Sequence, residues 1–379
     1  MSLAAIVTAY AMITAAAGIY ILIVTGLNTA WMFHTNIGSP KKSGSLVSVL
    51  IPARDEEEHI AACLDSLVAQ NYENLEIIVY DDDSTDGTKK ILNRYVKEYP
   101  SLVRAIHGNL EEGWYGKPNA LQHLSEAASG AWLYFTDADT VHEADSVGFA
   151  LGVAEFHKAD LLSGYVRNKI GSFGEGQVVP AIYLLTMVAM PLWLIHLTKT
   201  PIISHAIGQA MLFRTSMYEK LGGYDAVKDK VSEDVHMARL VKKHGGKVIF
   251  ADLKDQITCR MYVDYRSAIT GFSKNVYDYF NKNIFILVAV TALVPLIFFI
   301  PLLASCWLPA SLIQAQPWFR LGCVVIFYAW GLVTLERALP LYIPFIYPLI
   351  LINVLSTAWR ARRLFSTGKA IEWKGRMVK

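Results

Sequence analysis

Charge is what this sequence has least of, and its scarcity is uneven. Of 379 residues only 18% are Asp, Glu, Lys or Arg, while 53% are hydrophobic and the mean hydropathy is +0.32. A soluble domain carries roughly 25% charged residues. Residues 1–33 hold no charged side chain, and residues 284–358 hold only Arg320, Glu336 and Arg337. Runs of that kind exclude an ordinary water-facing surface and imply membrane helices around a polar middle. Cysteine is scarce too: Cys63, Cys259, Cys306 and Cys323 form no C-x-x-C or other metal spacing, so they read as isolated reduced thiols. A net charge of +2 argues against a nucleic-acid binder.

The first apolar run, residues 3–33, exceeds the roughly 20 residues that a spanning helix needs. No small-residue cleavage site follows a short apolar core, so the run reads as a retained anchor over residues 1–36. Lys41 and Lys42 follow it, which places the next region in the cytoplasm by the positive-inside rule. Further spans are expected at 284–308 and 318–335. The run 341–358 carries Pro344 and Pro348, and the tail at 359–379 holds seven basic residues against Glu372 alone. Three plain crossings would put that basic tail outside. The proline-bearing run is therefore expected to be re-entrant or interfacial, with the tail cytoplasmic. The expectation is a multi-pass cell-membrane protein.

Between the apolar ends, over residues 44–282, β-type runs alternate with helical ones. VSVLIP, LEIIVYDDD, LVRAIHG and AWLYFTDAD read as strands, and the intervening segments have helical spacing. Such alternation implies a mostly parallel, Rossmann-like sheet whose strands end on one ligand-binding edge. Three of those ends carry charged clusters: Arg54-Asp55-Glu56, Asp81-Asp82-Asp83 and Asp137-Ala138-Asp139. Acids gathered at one edge call for a hard divalent cation, Mg²⁺ or Mn²⁺. Mg²⁺ is usually held by one or two carboxylates and by substrate phosphates, so a nucleoside diphosphate is implied as well. Thr85 and Asp86 also suit a plain helix cap. Glu233 and Asp234 stand at a helix start, where the dipole favours acids; the functional alternative for them is a general base.

The runs VSVLIPARDEEEHI, IIVYDDDSTDGT, FTDAD and GGYDAVKDKVSEDVHMARLVKKHGG together resemble glycosyltransferase family 2, with its GT-A fold, over about residues 46–276. GWYGKPNA and the terminal IEWKGRMVK narrow the resemblance to membrane-bound carotenoid and hopanoid-associated glycosyltransferases, with ceramide glucosyltransferases more distant. The resemblance implies a nucleotide pocket lined by Pro52, Ala53, Arg54 and Glu56, with Asp82 on the uracil. It implies donor contacts from Lys117 and Asp137, a metal on Asp139, and Asp234 as catalytic base beside Glu233. Ser204 to Phe213 matches the segment beneath donor and acceptor. His205 and Gln209 are contact candidates there, with a structural histidine as the alternative reading. The polymer-synthase motif Q-x-x-R-W is missing: Gly271 and Phe272 stand where its Arg and Trp would be. A cation for the leaving diphosphate would then come from Lys274, Arg260, or Lys374 and Arg376 of the tail.

One further run, 178–197, is long enough to cross a membrane. Asp139 precedes it and Asp234 follows it, and both must share one site. It is therefore expected to lie in the interface, where a lipid acceptor presents its head group. The expectation is inverting transfer of a sugar, read as glucose, from a UDP-sugar to a lipid. A polyprenyl-phosphate sugar synthase is the second reading, and a nucleotide-binding membrane transporter or receptor is the third. The charge-free spans count against the third.

Overall fold

The computed structural model describes residues 1–279, 282–366, 371–373 and 376–378. The chain divides into two compact units. A sheet unit comprises Met32–Lys169, Trp193–Met261 and the tail Ala370–Lys379, and a helical unit comprises Met1–Trp31, Ile170–Leu192 and Tyr262–Lys369. The segments 170–192 and 262–282, expected within the soluble domain, thus group with the helices.

The sheet unit contains β1 (Val47–Ala53), β2 (Leu75–Asp82), β3 (Val103–Gly108), β4 (Trp132–Thr136), β5 (Thr140–His142), β6 (Leu161–Tyr165), β7 (Arg167–Asn168), β8 (Ala210–Arg214), β9 (Val248–Asp252) and β10 (Ile257–Cys259). The main sheet runs β3-β2-β1-β4-β8-β6-β9. β3, β2, β1 and β4 are mutually parallel, and β8 is antiparallel to both of its neighbours, β4 and β6. β4 and β9 are buried at every position, as near-continuous apolar strands covered on both faces should be. Val47, Val49 and Ile51 of β1 share a core with Ile60, Cys63, Leu64 and Leu67 of the helix Ile60–Val68. Parallel β2, β1 and β4 are adjacent, so their acidic carboxyl ends share one edge, as the strand pattern implies. A second small sheet, β5-β10-β7, sets Cys259 opposite Thr140, just after the Asp137-Ala138-Asp139 turn.

The run 178–197, which passes from the helical unit to the sheet unit at residue 193, is no plain span. It breaks into Ala181–Tyr183, a π-turn at Leu184–Val188 and Trp193–Leu197, with Pro191 in the gap. The carbonyls that such a break strands need partners. Asn28, fully buried in the helix Leu3–Thr35, supplies them: its Nδ2 donates to Met187 O (2.7 Å) and Met190 O (2.8 Å), and its Oδ1 accepts from Leu192 N (2.7 Å).

Four helices are long and apolar enough to cross a membrane: Leu3–Thr35, Ile284–Cys306, Ala310–Glu336 and Ile343–Ser366. The run at 341–358 is not broken at its prolines but is one helix, and it continues to Ser366, taking up Arg360, Arg362 and Arg363. Pro344 lies in the first turn, where a missing N–H costs nothing, and Pro348 forfeits only the bond to the Pro344 carbonyl. Beyond it, Ile371–Trp373 and Arg376–Val378 pair as an antiparallel hairpin.

Candidate active site

The site is built at the carboxyl edge of the main sheet, entirely within the sheet unit. Arg54, just past β1, is buried; its guanidinium donates to the Asp82 carbonyl and to Asp83 O (2.8 Å). It therefore fastens the end of β1 to the end of β2. Asp55 and Asp83, flanking this clasp, both have left-handed backbone (φ 50° and 54°), a conformation that Asp tolerates better than most residues. Asp86 caps the following helix by accepting Thr88 N at 2.9 Å, and Asp55 accepts Thr85 N at 2.7 Å. The structural reading holds for Asp86. Pro52 and Ala53 close β1, and Asp82 is buried at the end of β2. A polar cavity of about 190 Å³ opens beside them, lined by residues that include Asp81, Asp83, Lys89 and His107. His107 Nδ1 stands 2.9 Å from Asp81 Oδ2.

β4 delivers Asp137 and Asp139. The turn is tied by Thr140 Oγ1, which donates to Asp137 O at 2.7 Å, and His142 Nε2 is 3.1 Å from both Thr136 Oγ1 and Thr140 Oγ1. Burial drives His142 down to about 3, so it is a neutral strut. The two aspartates meet different surroundings. Asp137 Oδ1 lies 2.6 Å from Lys117 Nζ, which the first turn of the helix Gly116–Ala127 brings in. Among the described residues no basic side chain forms an ion pair with Asp139; its Oδ1 is buried without a hydrogen bond, and the Cys259 thiol donates to the carboxylate. Burial, with Asp137 and Glu56 beside it, pushes its carboxyl up to about 7. Glu56 in turn meets His59 Nδ1 at 3.3 Å, and that bond raises the His59 pKa.

The helix Glu233–Lys243 supplies the opposite wall. Glu233 Oε1 is 3.5 Å from Lys117 Nζ, and burial pushes this carboxyl up to about 7 against the pull of the lysine. Asp234 is held at both oxygens: Oδ2 accepts Gly208 N at 3.0 Å and Oδ1 accepts Val235 N at 2.7 Å. Burial nonetheless raises its pKa. Gly208 leaves room for the lysine tip. A Cβ there would stand 3.0 Å from Lys117 Nζ and 3.7 Å from both Asp234 Oδ2 and Glu233 Oε1. Burial opposes the charge on Lys117, yet Asp137 and Glu233 hold its pKa above the ordinary lysine value.

The segment before β8 adds buried polar groups. His205 Nε2 has no partner, and burial, with Arg239 nearby, lowers its pKa to about 4. Gln209 is buried, and neither of its amide atoms makes a well-formed hydrogen bond; the weak thiol of Cys259 is beside it.

Asp137, Asp139, Lys117, Glu233 and Asp234 thus form one cluster, as sequence reasoning implied. Gly208 and Cys259 were missed. Both lie far along the chain from the acids they touch, and no local pattern marks them. The side chains of Lys274, Lys374 and Arg376 fall outside the described residues. Gly271, in the position of the absent arginine, lies against the Tyr262 ring, which would have to shift to admit a side chain there.

Among the described residues, no three His, Cys, Asp or Glu side chains gather as a metal-holding group. The bare Asp139 oxygen nevertheless fits a hard divalent cation whose other ligands come from a substrate.

Residues 48–222 match the family described as Glycosyl transferase family 2. Glu233 and Asp234 lie beyond that stretch, so their place in the site rests on geometry. The chain is 39% identical over 124 residues to a poly(ribitol-phosphate) beta-glucosyltransferase of Bacillus spizizenii, a match covering 32% of this chain and 19% of that protein. It is 30% identical over 133 residues to a PGL/p-HBAD biosynthesis glycosyltransferase of Mycobacterium bovis, covering 35% of this chain and 50% of that one. The matches therefore span half or less of these relatives. Among solved structures, the mannosyltransferase PcManGT from Pyrobaculum calidifontis, in complex with GDP-Man and Mn²⁺, superposes with TM-score 0.54 and 18% identity. It covers 92% of this chain and 99% of its own, and so shares the fold. Residues 48–222 thus resemble glycosyl transferase family 2, on a fold shared with a solved mannosyltransferase.

Proposed function

We propose that this protein is an inverting glycosyltransferase that moves a hexose, read as glucose, from a UDP-sugar to a lipid acceptor at the cytoplasmic face of the membrane. The observation that carries the reading is Asp234. It is a carboxylate of raised pKa, clamped by two backbone amides, in one cluster with Lys117 and Asp139. A base works best when its pKa approaches the working pH, and burial moves Asp234 in that direction. Asp234 takes the proton of the acceptor hydroxyl as that oxygen attacks the sugar C1. A divalent cation on Asp139, Mn²⁺ or Mg²⁺, would supply Lewis-acid neutralisation of the departing diphosphate. Lys117 adds a second positive charge on the same side. Asp82 and the nearby polar cavity suit the nucleobase, with Pro52, Ala53 and Arg54 at the adjoining end of β1.

Four apolar helices support a membrane-resident acceptor. With the basic tail read as cytoplasmic, one of the three apolar helices between residues 284 and 366 is read as not crossing.

The test is nucleotide release by purified protein supplied with Mn²⁺ and membrane lipid, comparing UDP-glucose with GDP-mannose. Mass spectrometry of lipids from cells with and without the protein completes it. The expected result is UDP release and a glycolipid present only with the protein. Release from GDP-mannose alone would overturn the donor, and no release with any lipid would overturn the activity.

A further inference from the structure

Asp137 and Asp139 sit one residue apart on one turn, yet only one of them is available. Lys117 Nζ is 2.6 Å from Asp137 and 3.5 Å from Glu233, on the bare face of Gly208. It therefore pairs with Asp137 and competes with any cation for that carboxylate. Asp139 keeps an oxygen without a partner. At this turn the protein alone thus offers a divalent cation one carboxylate oxygen without a hydrogen bond, and among the described residues no group of three donors forms. One carboxylate is a poor site for a hard cation, which wants about six oxygen ligands. Lys117, for its part, cannot leave Asp137 without a replacement anion, because a buried charge stripped of its partner is costly.

Both needs are met by one molecule. We propose that Lys117 acts as a gate on the metal site: it occupies Asp137 until a nucleoside diphosphate draws the lysine away, so that the cation is held only together with the donor. This rests on the metal and donor reading above. Lys117 is here a positioning residue for the cation as well as a contact for the diphosphate. The gate has a chemical use. A free protein that holds no cation has no Lewis acid ready to hydrolyse whatever enters, and the site is completed only when the leaving group is in place.

The experiment measures free Mn²⁺ by its electron paramagnetic resonance signal, with the full-length protein in lipid nanodiscs. The arms are Mn²⁺ alone, Mn²⁺ with UDP and Mn²⁺ with GDP. Wild-type protein is expected to hold Mn²⁺ at least roughly tenfold more weakly alone than with its nucleotide, since the diphosphate supplies most of the ligands. Lys117→Met should tighten nucleotide-free binding by roughly tenfold, the scale of one charge-assisted bond released to the cation. Adding Asp137→Asn to Lys117→Met should reverse that gain. Equal Mn²⁺ binding by wild-type protein with and without nucleotide overturns the gate and leaves the metal reading intact; this arm needs no variant to fold. Unchanged nucleotide-free binding in a folded Lys117→Met also overturns it. No Mn²⁺ retained in any arm overturns the metal reading itself, and the gate with it.

Discussion

The helical unit and the sheet unit each bury polar side chains, and they treat them in opposite ways. Asn28, in an otherwise apolar helix, makes three hydrogen bonds to the broken segment at Met187, Met190 and Leu192. Nothing of its amide is left over for a ligand. In the sheet unit, Asp139 Oδ1 and His205 Nε2 are buried with no partner, and Gln209 is scarcely better served. Buried polar groups are nearly always satisfied, so a completed set and an incomplete one mean different things. The first is a structural clamp. The second is half of an interaction whose other half is a substrate. Within the sheet unit the same contrast recurs on a finer scale: Arg54 and Asp86 are consumed by the fold, while Asp139 is not.

The comparison is broken most severely at Asp234. Asp234→Asn keeps the size and loses the base, and should lower transfer by about two to four orders of magnitude. Nucleotide binding, read by calorimetry with UDP, should be spared. Retained transfer would remove Asp234 as base and favour a phosphate acceptor, which needs none. The next effect belongs to the clamp. Asn28→Leu strands two carbonyls and one amide and should cost about 2 kcal/mol of stability, a modest value because hydrogen bonds among membrane helices are individually weak. Thermal unfolding in detergent reads this. An unchanged melting temperature would mean that the segment at 184–192 finds other partners.

Much of the sheet unit was legible because its signals are local. A buried strand ending in acids declares both its own direction and the edge at which a ligand sits, and three such runs, with LVRAIHG between them, set the sheet. The acids at 137, 139, 233 and 234 could be named from their strand and helix ends alone. Their division of labour could not. That Lys117 lies on Asp137 and not on Asp139 depends on how the first turn of its helix meets the end of β4. Gly208 and Cys259 reach the site through strand pairings that no spacing along the chain encodes. The helices show the converse. Their apolar length was plain, but the effect of Pro344 and Pro348 turned on where the helix begins. Pro344 falls in the first turn, where it is harmless, and Pro348, further in, costs one backbone bond without ending the helix. Asn28 likewise reads as one mild polar residue, and its partners lie about 160 positions away.

The smallest expected effect is also the sharpest discriminator, because its sign separates the two kinds of burial. Gln209→Met replaces the amide by an unbranched apolar chain of similar length that fills the same space. If the amide is waiting for a donor or acceptor hydroxyl, the unliganded protein should become more stable, by about 1 kcal/mol, since a buried group without good partners is removed and nothing is stranded. Transfer should fall at the same time, because the hydroxyl then loses its partner. The corresponding change at Asn28 moves stability in the other direction. Thermal unfolding of the two variants side by side, without nucleotide, therefore gives opposite shifts if the satisfied and unsatisfied sets differ as described. A loss of stability in Gln209→Met would show that the Cys259 thiol already satisfies the amide, and would move Gln209 from the binding machinery to the scaffold.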